Sequence, residues 1–192
     1  IEDINKWNIS NVTNMNRMFT WCQSLTSLDL SNFDTSKVTD MYSMFYNCQS
    51  LASLDLNNFN TSNVTNMEYM FVNCNNLTSL DISNWDTSNI RSLKGVFSGC
   101  NNLMSITIPE GVTSIGDDAL RDCTSLKTAG TTGEGYDFEF GWKNMIPENA
   151  FEGLTELTNV IIPDSITSIG SNAFLGCTGL TEIVIPESVT SI

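Results

Sequence analysis

The sequence predicts a solenoid, a stack of short coils in which each coil buries its apolar side only against its neighbours. Three observations predict it. Cys22, Cys48, Cys74 and Cys100 recur at intervals of 26 residues. Each is followed three positions later by leucine, at Leu25, Leu51, Leu77 and Leu103. Paired aliphatic residues then return in the same register, as Leu28/Leu30, Leu54/Leu56, Leu80/Ile82 and Ile106/Ile108.

Residues 1–104 carry the long coil, and its clearest copy begins at Leu51. Leu51-x2-Leu54-Asp55-Leu56 reads as a short strand by period-2 alternation, with Leu54 and Leu56 inward and Asp55 outward. Asn58 to Ser62 turns the chain, because Asn, Thr and Ser side chains bond nearby backbone groups. Val64, Met67, Met70, Phe71 and Cys74 then share one face at the spacing of a short helical or 3₁₀ stretch.

From about residue 105 the coil shortens to 23 residues. Val160-Ile-Ile162-Pro163-x2-Ile166-Thr167-Ser168-Ile169-Gly170-x2-Ala173-Phe174-x2-Cys177 is one copy. Its β-branched Ile-Thr-Ser-Ile run predicts a second short strand, and Gly116 and Gly170 predict a turn with positive φ. Residues 105–192 thus continue the same array, interrupted by an insertion near 128–145. Neither end carries a polar cap, so the chain reads as a fragment of a longer protein.

Of 192 residues, 41% are apolar, and 22 acidic residues face 8 basic ones for a formal charge of −14. Such a surface repels phosphate backbones and anionic lipid, which speaks against nucleic-acid and membrane-surface partners. There is no run of 18 apolar residues, so nothing in this stretch spans a bilayer. The six cysteines are periodic, so they read as reduced, buried core residues and not as a disulfide framework. Met15, Met18, Met41, Met44, Met67 and Met70 form two further columns of core spacing.

Two motifs are familiar. Ile162-Pro163-x2-Ile166-Thr167-Ser168-Ile169-Gly170-x2-Ala173-Phe174-x2-Cys177-x2-Leu180 resembles the BspA-type leucine-rich repeat of bacterial surface proteins. Thr61-Ser62-Asn63-Val64-Thr65-x-Met67-x2-Met70-Phe71-x2-Cys74-x2-Leu77 resembles the related 26-residue repeat of bacterial surface proteins and lipoproteins. The resemblance implies a leucine-rich repeat solenoid, here of about eight coils. Short parallel strands would line one face, and short second strands and helical turns the other. It also implies an extracellular, cell-surface location and an adhesion-like role toward a host or matrix protein or glycan. No catalytic residue and no cofactor carry over. A structural spacer with no ligand of its own is the alternative reading.

The residues themselves agree that catalysis is poorly equipped. The chain has no histidine, the commonest general base and a common metal ligand. Asp29, Asp55 and Asp81 stand one per coil on the outward face, a column that invites a weak calcium ladder. No separate turn supplies further ligands, and flanking Ser27, Ser53 and Ser79 offer the carboxylates hydrogen bonds, so no metal is assigned. Asn8, Asn11, Asn60, Asn63 and Asn76 open Asn-x-Ser/Thr triplets as a by-product of the repeat. The insertion alternates Tyr136, Phe138, Phe140 and Trp142 with Asp137, Glu139 and Gly141. It reads either as a contact loop on a rigid scaffold or as a strand whose rings pack down on the coils.

Overall fold

The computed structural model describes residues 4–90, 92–107, 116–126, 128–130, 144–162 and 164–192. Its core is a set of columns, each holding one side chain per coil. Phe19, Phe45, Phe71 and Phe97 stack with ring centroids 5.5, 5.5 and 5.6 Å apart, and Phe151 and Phe174 resume the column at 5.2 Å. Beside them Val38/Val64, Met41/Met67, Met44/Met70 and Leu51/Leu77/Leu103 are fully buried. Each such side chain contributes about 1.5–3 kcal/mol when removed from water, but only if the neighbouring coil covers it.

The cysteines form another column, and all six are free thiols. Each thiol from the second coil onward donates to a carbonyl of the coil before it. Cys48, Cys74, Cys100, Cys123 and Cys177 reach Phe19, Phe45, Phe71, Phe97 and Phe151 oxygens at 3.1, 3.2, 3.0, 3.1 and 3.1 Å. A small apolar residue with a weak donor suits that place, where an S–H can share a buried carbonyl already serving a turn. Burial pushes the Cys123 thiol up to about 12 and the Cys74 and Cys100 thiols well above their ordinary value.

The stretch from Met15 to Cys22, and its equivalents, is not the helical turn that its spacing predicts. Arg17 and Trp21 have φ of 57° and 64°, and every later copy repeats two positive-φ residues four apart, as Ser43/Asn47, Tyr69/Asn73 and Gly95/Gly99 do. Left-handed residues at those places end any right-handed helix after one turn. The backbone instead splits its donors between two uses. Met18, Thr20 and Cys22 N–H groups close turns onto Met15, Arg17 and Phe19. Arg17, Phe19 and Trp21 N–H groups donate to Tyr42, Met44 and Tyr46 in the next coil at 2.9, 2.9 and 2.8 Å. The same forward ladder continues from Ser43, Phe45 and Asn47 to Glu68, Met70 and Val72, and from Tyr69, Phe71 and Asn73 to Lys94, Val96 and Ser98.

Strands are shorter than the repeat suggests. β1 (Ser79–Asp81), β2 (Ser105–Thr107) and β3 (Thr128–Gly130) pair in parallel with Leu80, Ile106 and Ala129 in register. β4 (Met145–Ile146) pairs with β6 (Ser168–Ile169), and β5 (Asn159–Ile161) with β7 (Glu182–Val184). β6 lies in the second-strand run, as expected. Leu28–Leu30 and Leu54–Leu56 form no strand, although Leu30 and Leu56 point inward as predicted. The Asn58 amide donates to the Leu30, Ser31 and Phe33 carbonyls of the coil before it. Asn84 does the same to Asn57.

Three corners per long coil are closed by side chains. At the first, Asp29, Asp55 and Asp81 carboxylates accept from the N–H groups of Ser31, Asn57 and Ser83, each at 3.0 Å. At the second, Asn8, Asp34, Asn60 and Asp86 accept from Ser10, Ser36, Ser62 and Ser88. At the third, Asn14, Asp40, Asn66 and the Ser92 hydroxyl accept from Asn16, Tyr42, Glu68 and Lys94. An acceptor bonded two residues on is the Asx turn, which fixes a bend without glycine or proline.

Gly116 has the positive φ expected of it, at 80°, but Gly170 does not. Gly170 is required for space: a Cβ there would lie 2.5 Å from the Glu148 nitrogen of the preceding coil.

Candidate binding surface

The aspartate column is a structural device before it is anything else. Its carboxylates are held by the residues two positions after them, and not by Ser27, Ser53 and Ser79 as the sequence suggests. Hydrogen bonds from the Ser31 hydroxyl and backbone hold Asp29 below the usual carboxylate range, and those from the Ser83 backbone and hydroxyl do the same for Asp81. Asp29 and Asp55 come together in a shallow cavity of about 190 Å³ with Leu28, Leu30, Ser31, Asn57 and Asn58, and Asp81 is not part of it. Among the described residues no group of three or more His, Cys, Asp or Glu is placed to hold a metal ion. Tyr136, Phe138, Phe140 and Trp142 lie outside the described residues.

A second collection of side chains, absent from the sequence reading, stands on the face of the forward ladder. Trp21 is 62% exposed, and its ring lies 6.0 Å from that of Tyr46 at a tilt of 50°. The Arg17 guanidinium sits 5.3 Å over the Tyr42 ring, and Tyr42 meets Tyr69 edge-on at 5.8 Å. Tyr69 in turn covers Gly95, where an added Cβ would come within 2.6 Å of the ring. The three tyrosines are half-buried, so their positions are fixed by the coils beneath. Trp21 with Tyr46, and Arg17 with Tyr42 and Tyr69, thus make two separate ring contacts between neighbouring coils. The signal was present in the sequence, since Trp21 occupies the column that holds Asn47, Asn73 and Gly99. Asn47 in the same column is buried, whereas Trp21 is exposed in the first described coil.

Elsewhere on the described surface Trp7, Met104, Met145, Leu175, Val184 and Ile185 are also exposed among polar and acidic residues. Arg121 is ringed by Asp118, Asp122 and Glu152 at 3.6, 3.6 and 3.1 Å. Two further cavities of about 350 Å³ are lined by Thr78, Asn102, Met104, Ser125 and Glu156, and by Thr39, Asp40, Thr65, Asn66, Glu68 and Ser92. No described helix is long and apolar enough to cross a membrane.

Residues 1–108 match the family model described as Mycoplasma protein of unknown function, DUF285. The chain belongs to the DUF285 family. Residues 144–192 match a second model, the BspA type leucine rich repeat region. The DUF285 chain is also similar to solved leucine-rich repeat proteins. One from Bacteroides ovatus is 20% identical with a TM-score of 0.57, over 94% of this chain and 55% of that one. One from Eubacterium ventriosum is 21% identical with a TM-score of 0.50, over 84% and 47%. The leucine rich repeat protein of T. pallidum is 26% identical over 62% of this chain and 50% of that one, with a TM-score of 0.48. The likenesses to the Bacteroides ovatus and Eubacterium ventriosum proteins establish the leucine-rich repeat fold, and the chain spans about half the length of these three structures. No curated protein matches it significantly.

Proposed function

We propose that this chain is a non-enzymatic, adhesion-like binding module of a cell-surface protein, taking a host or matrix macromolecule. The match of residues 144–192 to the BspA-type repeat, a repeat of bacterial surface proteins, carries the reading. Two physical features support it. The chain has no histidine, and burial raises its Cys100 and Cys123 thiols, so neither an imidazole base nor a ready thiolate is offered by these positions. The side chains that build the coil are consumed by core columns and corners, so the outer faces are free to vary without unfolding the array. We extend the contact surface to the insertion, for its alternating Tyr136, Phe138, Phe140 and Trp142.

The test is solid-phase binding of the chain to matrix proteins, glycans and host cells, beside an acidic control protein of similar charge. Saturable binding above the control is expected, and Tyr136→Ala with Trp142→Ala should weaken it while leaving the melting temperature nearly unchanged. Binding no better than the control would leave the array as a spacer. A large loss of stability with binding intact would place those rings in the core.

A further inference from the structure

We propose that the cavity lined by Thr78, Asn102, Met104, Ser125 and Glu156 is a binding site for a neutral saccharide. The proposal rests on the binding-module reading and names a place and a ligand class for it.

The first argument is that the polar groups of this cavity are unengaged, whereas those of the other two cavities already serve the fold. Around Asp40, the Thr39 and Thr65 hydroxyls donate to the Thr13 and Thr39 carbonyls. Asp40, Asn66 and Ser92 side chains there accept from the Tyr42, Glu68 and Lys94 N–H groups. Around Asp29, the Asp29 and Asp55 carboxylates accept from Ser31 and Asn57, and the Asn58 amide donates to carbonyls of the coil before it. The side chains of Thr78, Asn102, Ser125 and Glu156 have no such partner among the described residues. Two hydroxyls, an amide and a carboxylate thus line one space with their hydrogen-bonding capacity open.

Their positions are fixed from beneath. Each lining residue adjoins a buried leucine of the core, at Leu77, Leu103, Leu126 or Leu157. The Met104 N–H donates to the Thr78 carbonyl at 2.9 Å, and the Ser125 N–H to the Asn101 carbonyl at 3.2 Å. The lining comes from successive coils in the middle of the array, with further coils on both sides, so its exposure is not that of a chain end. A site ordered before its ligand arrives loses less freedom on binding.

Comparison between coils supplies the third argument. Met104 is 48% exposed, and its column elsewhere holds Thr26, Ala52, Thr78, Lys127, Thr158 and Thr181. The Glu156 column elsewhere holds Ser24, Ser50, Asn76, Asn102, Ser125 and Gly179. Small or polar residues satisfy the coil at both places, so the fold itself does not call for a thioether and a carboxylate beside one cavity.

Chemistry selects the ligand. A pyranose presents neighbouring hydroxyls that both donate and accept, together with an apolar C–H face. The hydroxyls suit an amide, two hydroxyls and a carboxylate, and the C–H face suits the flexible, polarizable Met104. A volume of about 350 Å³ lies at the low end for small-molecule sites and holds roughly one or two such rings. Glu156 repels sulfated, phosphorylated or uronic sugars, as does the formal charge of −14. A peptide finds no open strand edge at β2, which pairs with β1 on one side and β3 on the other.

The experiment follows the amide resonances of the isotope-labelled whole chain during titration with maltotriose, lactose and chitotriose. A sulfated heparin disaccharide and a short Lys-rich peptide are the charged controls. At least one neutral sugar should bind saturably, shift the Thr78, Asn102, Met104 and Ser125 amides most, and keep its affinity as salt rises. Met104→Thr and Glu156→Ser, each of which copies another coil, should weaken that sugar about tenfold or more without changing the melting temperature. Asp40→Asn, in a cavity whose side chains are engaged, should change affinity less than twofold. Shifts confined to other amides, or affinity that survives both cavity variants, would overturn the site. Tighter binding of the Lys-rich peptide, lost in Glu156→Ser, would overturn the ligand class in favour of a basic segment. If the chain binds matrix proteins in the solid-phase assay yet no neutral sugar shifts these amides, this proposal falls alone. If it binds nothing in either, both readings fall.

Discussion

At the scale of single residues, the thiol column shows how one side chain serves two needs. Cys123 fills a fully buried site and donates to the Phe97 carbonyl, so its loss removes both volume and a bond. Cys123→Ala should lower stability by about 1–2 kcal/mol at neutral pH, read from the urea midpoint. The same thiol sets a pH limit. Its value is raised in the fold to about 12, against roughly 8.5 in the unfolded chain, so the unfolded state loses its proton first. The stabilising term is complete below about pH 8.5 and fades as pH rises toward 12, by about 1.4 kcal/mol per unit for one thiol. Urea midpoints should therefore fall above pH 8.5, and less steeply in Cys123→Ala than in wild type. Equal slopes would mean that the buried thiol does not ionise on unfolding. Methionine and cysteine columns were legible from spacing alone, since a repeated apolar residue has nowhere to go but the core.

At the scale of the element, the corners and turns account for what the sequence reading missed. A spacing of three, three, one and three fits one helical face, yet it also fits consecutive turns with left-handed residues at Arg17 and Trp21. Spacing could not separate the two, because neither residue type advertises positive φ. Asn47 and Gly99 in the equivalent column do advertise it, and comparison between copies holds the information that one copy lacks. The corner acids were correctly placed outside, but their bonding partners lie two residues forward and not on the flanking serines. Those bonds hold Asp29, Asp34, Asp81 and Asp86 below the usual carboxylate range, chiefly through Ser31, Ser36, Ser83 and Ser88. The lowered values add stability that is present above about pH 3.9 and lost as pH falls through the folded values. Midpoints should drop between pH 5 and pH 3. Asp86→Asn should soften that drop with little change at neutral pH, because Asn8 and Asn60 make the same corner with an amide oxygen. A collapse of the Asp86→Asn midpoint at neutral pH would show that the corner needs its charge.

At the scale of the whole molecule, two faces hold the coils together and they are unequal. The paired strands β1 to β3, β4 with β6, and β5 with β7 are two or three residues long, and none lies before Ser79 among the described residues. The turn face carries forward bonds from the first coils onward, with the phenylalanine stack directly behind it. The period made the solenoid legible, but it could not say which face is the continuous one, because both repeat equally. Native-state hydrogen exchange tests this most directly. The amides of Ser43, Phe45, Asn47, Tyr69, Phe71 and Asn73 should exchange slowest, at the rate of global unfolding, and more slowly than the strand amides of Leu80 and Ile106. Rapid exchange at those six amides with protection concentrated in the strands would contradict the account.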